Sequence, residues 1–351
     1  MKYDLIAPTS MGIRLSPQER QPVGITNLFT MYATSAESNV LNISASLGLS
    51  ARVLTGFVKN SPVAAFIKGE LRRRGISYEG PEIDQGGPWG YRHQFNIADA
   101  GFGPRGPRVH NDRAGEVGRV LKAEDFNLER LFKQDGVRMM HLSGLFAALS
   151  PETAQLCVKL AETAKVNGTQ ISFDLNHRAS FWTGREQELR DAFARIAGLS
   201  DILIGNEEDY QLALGIKGPE AGGVEIGNKI EEFKKMITRA QSVFPGVKVF
   251  ATTLRQVVDA NRHLWGAILF KDNEWQVAPQ REIQILDRIG GGDGFVGGLL
   301  YSLLKGWDGE TCLHFAWATG ALAVTMIEDY ASPVDEAQVF SVWEGNARVL
   351  R

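Results

Sequence analysis

The feature that most constrains the fold is a regular alternation of short apolar runs and longer helical patterns from about residue 136 onward. Four apolar runs predict strands: Arg138–Leu142, Ile171–Asp174, Ile202–Ile204 and Val247–Ala251. Helical spacing lies between and around them, over Pro151–Asn167, Glu186–Gly198, Glu207–Leu214 and Lys229–Val243. Ser150 is a suitable N-cap for the first of these helices. The alternation therefore predicts an α/β fold with a parallel sheet between helices.

Ligands of such sheets bind beyond the carboxyl ends of the strands. The unusual polar residues of this half of the chain fall at those predicted ends: Ser143, Asp174, Asn176, Arg178, Asn206 and Thr252. The N-terminal third has a different pattern, in which residues 11–31 and 91–113 are irregular and rich in glycine and proline. The helical segments Ala36–Leu47 and Pro62–Arg74 lie between them. We expect one domain over residues 1–351, in which these two irregular segments form a small β-sheet lid.

Composition narrows the class of protein. The formal net charge of −3 argues against a nucleic-acid-binding surface. Cys157 and Cys312 stand far apart without metal-ligand spacing, so we expect two small buried hydrophobes. The N-terminus lacks a signal-peptide pattern, and the apolar stretch Phe315–Ile327 is too short to span a bilayer. We expect a cytoplasmic protein that does not bind membranes.

A glycine-dense segment, residues 283–300, carries the chemistry. It predicts a strand, a turn through Gly290, Gly291 and Gly292, and then a helix that begins near Asp293. Consecutive glycines followed by a helix N-terminus can direct several backbone N–H groups at a phosphate. A carboxylate would repel that phosphate, unless Asp293 faces the incoming hydroxyl and takes its proton. The segment therefore predicts phosphoryl transfer to a hydroxyl group.

Other interpretations of this segment remain open. Residues 292–297 match G-x-G-x-x-G, but this pattern is weak alone, and no strand ending in an acidic residue follows about 20 residues later. A purely structural turn with Asp293 as a helix cap is a second possibility. No G-x-x-x-x-G-K-[ST] occurs, which excludes a P-loop ATPase.

Several motifs together give a family resemblance over essentially the whole chain. Asp287 with the residues up to Asp293 resembles the D-x-x-G-x-G-D signature of ribokinase-like (pfkB) carbohydrate kinases. The chain is most similar to the 2-keto-3-deoxygluconate kinase branch, through residues 141–150, 174–182, 206–209 and 253–255. The resemblance implies a ribokinase-like three-layer sandwich and an ATP-dependent sugar kinase that uses Mg²⁺. It also implies a small sugar-acid substrate, with 2-keto-3-deoxygluconate as the first candidate, and a homo-oligomer.

The resemblance also implies roles for individual residues. Asp293 would be the general base, and Gly290, Gly291 and Gly292 the anion hole. Substrate would be bound by Arg178, Arg113, Asn39, Ser35, Asn111 and Asp329. The nucleotide would be bound by Asn176, Asn206, Arg255 and Thr253, and Asp209 would reach Mg²⁺ through water. Each assignment has a structural alternative: Asn176 and Asn206 could be turn residues, and Asp329 a surface charge at a helix end.

Departures from the branch pattern bear on the substrate. Ser10 and Ser35 stand where the branch has Glu and Gly, Asn111 replaces an aromatic residue, and Glu116 takes a position that is often Ser. These changes alter the polarity of the predicted sugar pocket and leave the phosphate side intact. A kinase for another sugar or keto-acid therefore remains an alternative. A non-catalytic sugar-binding protein on the same fold, and a structural subunit, are further alternatives.

Overall fold

The computed structural model describes residues 1–220 and 229–347. Its strands are β1 Tyr3–Pro8, β2 Gly12–Pro17, β3 Phe29–Thr34, β4 Ala51–Leu54, β5 Phe57–Val58, β6 Ile76–Glu79, β7 Glu82–Ile83, β8 Phe95–Asp99, β9 Arg108–Asp112, β10 Val137–Ser143, β11 Gln170–Asp174, β12 Ile202–Ile204, β13 Val249–Asp259, β14 Arg262–Lys271 and β15 Glu274–Gln284. Nine of them form the main sheet, in the order β15-β14-β13-β12-β11-β10-β1-β4-β6. From β13 to β6 all neighbours are parallel, whereas β14 and β15 are antiparallel. The predicted mainly parallel α/β fold is confirmed.

Helices cover both faces of this sheet. They are α1 Ala36–Ser46, α2 Pro62–Arg73, α3 Gly144–Ala147, α4 Pro151–Val166, α5 Ala179–Trp182, α6 Glu186–Leu199, α7 Glu207–Leu214, α8 Ile230–Val243, α9 Gly291–Lys305, α10 Gly309–Ala323 and α11 Glu336–Glu344. One apolar cluster joins the sheet to α4, α6, α7 and α8, and a second joins it to α1, α2, α9 and α10. Ser150 caps α4 by accepting a hydrogen bond from the backbone N–H of Thr153, as predicted. Two apolar layers with a sheet between them make the three-layer sandwich.

A separate four-stranded sheet, in the order β3-β2-β8-β9, is called here the lid sheet. The predicted segments 11–31 and 91–113 contain β2, β8, β9 and the start of β3, which continues to Thr34. Ile13 and Ala98, on the two central strands of this sheet, are buried, whereas Met31 and Val109, on the two edge strands, are exposed. The lid sheet adjoins the carboxyl ends of the main strands, so the two sheets enclose the pocket described below.

One strand boundary was predicted wrongly. Thr252 does not end a strand, because β13 continues to Asp259 as half of an antiparallel pair with β14. Only residues 249–251 pair with β12, so the parallel part of β13 does end before Thr252. The Thr252 hydroxyl is buried and donates to the carbonyl oxygen of Gly205 at 2.8 Å, which joins two strand ends. Its role is structural.

Two further expectations concern single residues and long helices. Cys157 and Cys312 are free and buried, as predicted, and burial raises the pKa of both thiols. Within residues 1–220 and 229–347, no helix combines the length and the apolar character that a membrane crossing requires.

Candidate active site

A cavity of about 940 Å³ lies between the carboxyl ends of the main strands and the lid sheet. A volume of this size is typical of small-molecule sites. Its walls come from both sheets, from the first turn of α1 and from the first turn of α9. Every residue to which the family resemblance assigned a role lines this cavity except Gly291, which is buried. Of the polar residues at the predicted strand ends, Ser143 and Thr252 do not line it. A Cβ on Gly291 would meet Val324 Cγ1 at 2.7 Å, so this glycine serves helix packing.

The turn before α9 leaves backbone donors available to the cavity. Gly290 adopts the left-handed conformation, with φ of +87°, and no side chain within the described residues caps the helix. Since the first N–H groups of a helix lack partners inside the helix, those of α9 can bind an anion. A Cβ on Gly290 would lie 1.8 Å from the carbonyl oxygen of Asp329, whereas one on Gly292 would meet nothing within 4 Å. Gly290 therefore allows the close approach that forms the turn, and Gly292 faces open space.

Asp293 is placed in the first turn of α9, beside these donors. Its Oδ2 accepts a hydrogen bond from Asn39 Nδ2 at 3.0 Å. Burial raises the pKa of Asp293 to about 7, the Asn39 hydrogen bond opposes the shift, and the charges of Asp329 and Glu37 add to it. A general base works best when its pKa is near the operating pH. The environment of Asp293 thus suits proton transfer from a hydroxyl group.

Two carboxyl groups and an amide surround Asp293. Asp329 is 2% exposed, so the alternative that it is a surface charge is wrong. Its Oδ2 accepts from the Thr34 hydroxyl, and Glu37 Oε2 accepts from the Thr9 hydroxyl at 2.6 Å. One acceptor atom on each of Asp329, Glu37 and Asn39 has no partner among the described residues. Buried acceptors without partners fit a ligand that brings several hydroxyl donors.

Two departures from the branch pattern contact each other. Ser10 Oγ donates to Glu116 Oε1 at 2.6 Å, and Arg113 Nη1 donates to the same oxygen at 2.7 Å. Glu116 is 1% exposed, so the ion pair with Arg113 is shielded from water on that side. Arg113 lines the cavity, and its Cζ lies 5.3 Å from the centre of the Phe181 ring. The sequence indicated Ser10 and Glu116 as separate changes, and the structure joins them around one cavity-lining arginine.

Several predicted ligand-binding residues also have structural roles. Asn206 caps α7: its Oδ1 accepts from the N–H of Asp209, whose Oδ2 accepts from the N–H of Asn206, both at 2.9 Å. Asp209 Oδ1 accepts from the N–H of His177, so both carboxylate oxygens are engaged. Asn176 has a φ of +34°, and Ser35 caps α1. The structural alternative and the ligand-binding hypothesis are therefore compatible, since all four residues also line the cavity.

Three arginines form a positive wall. Arg178, Arg255 and Arg288 line the cavity, and none makes a salt bridge within residues 1–220 and 229–347. Burial, and then the charges of Arg288 and Arg178, lower the pKa of Arg255 to about 10, which leaves it charged at neutral pH. Clustered guanidinium groups favour a polyanion, although Glu207 and Asp287 lie within electrostatic range of Arg255 and Arg288. The sequence predicted Arg178 and Arg255 but not Arg288, although its position beside Asp287 in the signature could have indicated it.

The same side of the cavity carries carboxylates. Burial raises the pKa of Asp174 well above its ordinary value, and repulsion by Asp209 and Asp293 adds to the shift. A cation brought by the substrate would relieve this repulsion. Within the described ranges, no three His, Cys, Asp or Glu side chains converge to hold a metal by themselves. The remaining lining residues of the predicted set, Asn111 on the lid sheet and Thr253 on β13, complete the two walls.

This chain is similar in sequence and in fold to known carbohydrate kinases. The family described as pfkB family carbohydrate kinase matches residues 10–336. A 2-dehydro-3-deoxygalactonokinase from Haloferax volcanii is 26% identical over 94% of each chain. A 5-dehydro-2-deoxygluconokinase from Shouchella clausii is 24% identical over 92% of this chain and 90% of the relative. The crystal structure of 2-dehydro-3-deoxygluconokinase from Thermotoga maritima superposes with a TM-score of 0.87 and 27% identity, covering 98% of this chain and 99% of the other.

A buried carboxylate beside the glycine-flanked N-terminus of a helix is suited to phosphoryl transfer to a hydroxyl group. The match to the carbohydrate kinase family covers almost the whole chain, from residue 10 to residue 336. The chain is an ATP-dependent carbohydrate kinase and belongs to the pfkB family.

Proposed function

We propose that the protein transfers the γ-phosphoryl group of ATP to a hydroxyl of a small sugar acid, with 2-keto-3-deoxygluconate as the first candidate. The observation that carries the proposal is Asp293, which lies beside the uncapped N-terminus of α9 and has a pKa raised to about 7. The names of the relatives support the substrate class, because each is the name of a kinase for a deoxy keto sugar acid.

The mechanism follows from the placement of charges. Asp293 accepts the proton of the substrate hydroxyl, whose oxygen forms a bond to the γ-phosphorus while the bond to the β-phosphate oxygen breaks and ADP leaves. The N–H groups at the start of α9 stabilise the charge on the transferring group. Arg255 and Arg288 bind the remaining phosphates, and Arg178 is near enough to both Arg255 and Asp293 to lower the pKa of each. Positioning and charge stabilisation dominate such a reaction.

We propose that Mg²⁺ accompanies ATP on the side of Asp174 and Asp209. The oxygen donors there suit a hard cation, which usually keeps several waters and binds through one or two carboxylates and the phosphates. Because both Asp209 oxygens already accept backbone N–H groups, its contact to the ion would run through water. The bound ion would neutralise phosphate charge during transfer.

The substrate assignment has one alternative, a different sugar or keto-acid. The specific observation is the Ser10–Glu116–Arg113 contact, because Glu116 already neutralises the arginine that the family resemblance assigns to the substrate. We also propose a cytoplasmic homo-oligomer, as the family resemblance implies.

An ADP-release assay with Mg-ATP and a panel of sugar acids, keto-acids and neutral sugars tests the proposal. We expect turnover with a deoxy keto sugar acid and little with the neutral sugar of the same chain length. The matched control is Asp293→Asn, which should lose roughly 10²- to 10⁴-fold in kcat while it retains ATP binding. Near-normal turnover by that variant would refute the assigned base, and turnover on neutral sugars alone would refute the acid substrate.

A further inference from the structure

Arg14 is a buried cation that the assigned roles do not use. It belongs to β2 of the lid sheet and is 1% exposed, yet it lines the catalytic cavity. Its Nη2 makes an ion pair with Oδ2 of Asp287, in the turn before α9, and both side chains are almost completely buried. Its Nε and Nη1 have no hydrogen-bond partner among the described residues. A buried ion pair contributes little stability after desolvation, so stability alone explains Arg14 poorly.

The partner of Arg14 shapes the anion-binding turn. Oδ1 of Asp287 accepts a hydrogen bond from the N–H of Ile289 at 3.0 Å, immediately before Gly290. The Asp287 carboxylate therefore connects the lid sheet, through Arg14, with the backbone that begins α9. The backbone N–H of Leu286 is fixed separately, at 2.8 Å from the carbonyl oxygen of Val324. The side chain of Asp287 is thus the part of the turn that depends on the lid sheet.

A second arginine from the lid segment reaches the same turn. Arg20, just after β2, donates to the carbonyl oxygens of Ile285, at 2.7 Å, and Leu286. Arg14 thus contacts a side chain of the turn, and Arg20 contacts its backbone. These contacts join the lid segment to the turn that begins α9.

We propose that Arg14 is a positioning residue, a latch that ties the lid sheet to Asp287 and so holds the N–H groups of α9 in the geometry for phosphoryl transfer. The inference rests on the proposed function in placing the γ-phosphoryl group over this turn. Arg14 acts through Asp287 and Ile289 and takes no proton from the substrate. Its loss therefore misplaces the anion hole without removing the base.

The test compares Arg14→Met with Arg52→Met. Arg52, on β4, also pairs with a carboxylate, Glu79 at 2.5 Å, but it does not line the catalytic cavity. We expect Arg14→Met to lower kcat by about 10²-fold, the usual effect of a small misplacement, with a smaller change in the KM for ATP. Arg14→Ala leaves the space of the side chain open, and guanidinium added well below denaturing concentration should restore part of kcat in that variant. Arg52→Met should keep kcat and not respond to guanidinium.

Hydrogen exchange of peptides covering residues 286–294 is the readout that needs no substrate. Faster exchange in Arg14→Met, but not in Arg52→Met, is expected even if no sugar on the panel is turned over, so failure of the substrate assignment stays distinguishable. Should Arg14→Met not fold, Arg14→Lys keeps the charge and removes the forked geometry, and should show the same changes to a smaller extent. Unchanged exchange and unchanged kcat in a folded Arg14 variant would overturn the proposal, as would a loss of kcat in Arg14→Ala that guanidinium does not restore.

Discussion

The pKa of Asp293 gives the most direct prediction. Because the carboxylate form is the base, kcat/KM should rise with pH and level off above the pKa of Asp293, which burial raises to about 7. Asn39 and Asp329 act on this pKa in opposite directions: the Asn39 amide stabilises the carboxylate, and the Asp329 charge destabilises it. Replacing each in turn should therefore move the acidic limb of the pH profile in opposite directions.

The magnitude follows from the single hydrogen bond. A hydrogen bond to a charged group is worth about 1.5–3 kcal/mol, and about 1.4 kcal/mol corresponds to one pKa unit, so Asn39→Ala should raise the midpoint by roughly one to two units. At pH 7 the fraction of Asp293 present as carboxylate would then fall from about a half to about a tenth or less. Asp329→Asn removes a neighbouring negative charge and should lower the midpoint.

The assay is initial-rate ADP release at saturating Mg-ATP, with kcat/KM for the sugar measured between pH 5 and 9. Both residues also contact the proposed sugar site, so the absolute kcat/KM will fall in each variant. The midpoint of the pH profile does not depend on the absolute value of kcat/KM, and it reports the pKa of the titrating group in the free enzyme. A midpoint that stays in place in both variants, or moves in the same direction in both, would refute Asp293 as the titrating base.

Two further predictions concern the phosphate side. Gly290→Ala should lower the melting temperature strongly, because the φ of Gly290 is positive and the added Cβ would overlap a backbone carbonyl oxygen. Gly292→Ala should fold normally by calorimetry and lose kcat, since its Cβ enters open space over the proposed anion hole. Equal melting temperatures for the two variants would contradict this. Arg255→Met and Arg288→Met should each raise the KM for ATP about tenfold or more, as expected when a charge-assisted phosphate contact is lost, and leave the binding of adenosine by calorimetry unchanged. An unchanged KM for ATP in Arg288→Met would remove it from the phosphate wall.

The elements that were predicted well depend on neighbours in the sequence. The strands and helices after residue 136 follow from hydrophobic period, and the helix N-terminus at Gly290–Asp293 follows from consecutive glycines. The end of β13 could not be predicted, because its outer half pairs with β14 and keeps one face exposed, which weakens the apolar signal. The lid segments had the same weakness, and only their approximate position was found.

The sequence by itself determined the α/β architecture, the glycine turn with Asp293 beside it and the class of chemistry, since each depends on local conformation or on residues close together in the chain. Tertiary structure alone decided how these parts are connected. Arg14 meets Asp287 across 273 positions, and Ser10 meets Glu116 across 106. It also decided that Asp329 is buried and that Arg288 has no salt-bridge partner within the described residues. Burial and pairing set the charge and pKa of such groups, and both depend on which distant segments the fold brings together.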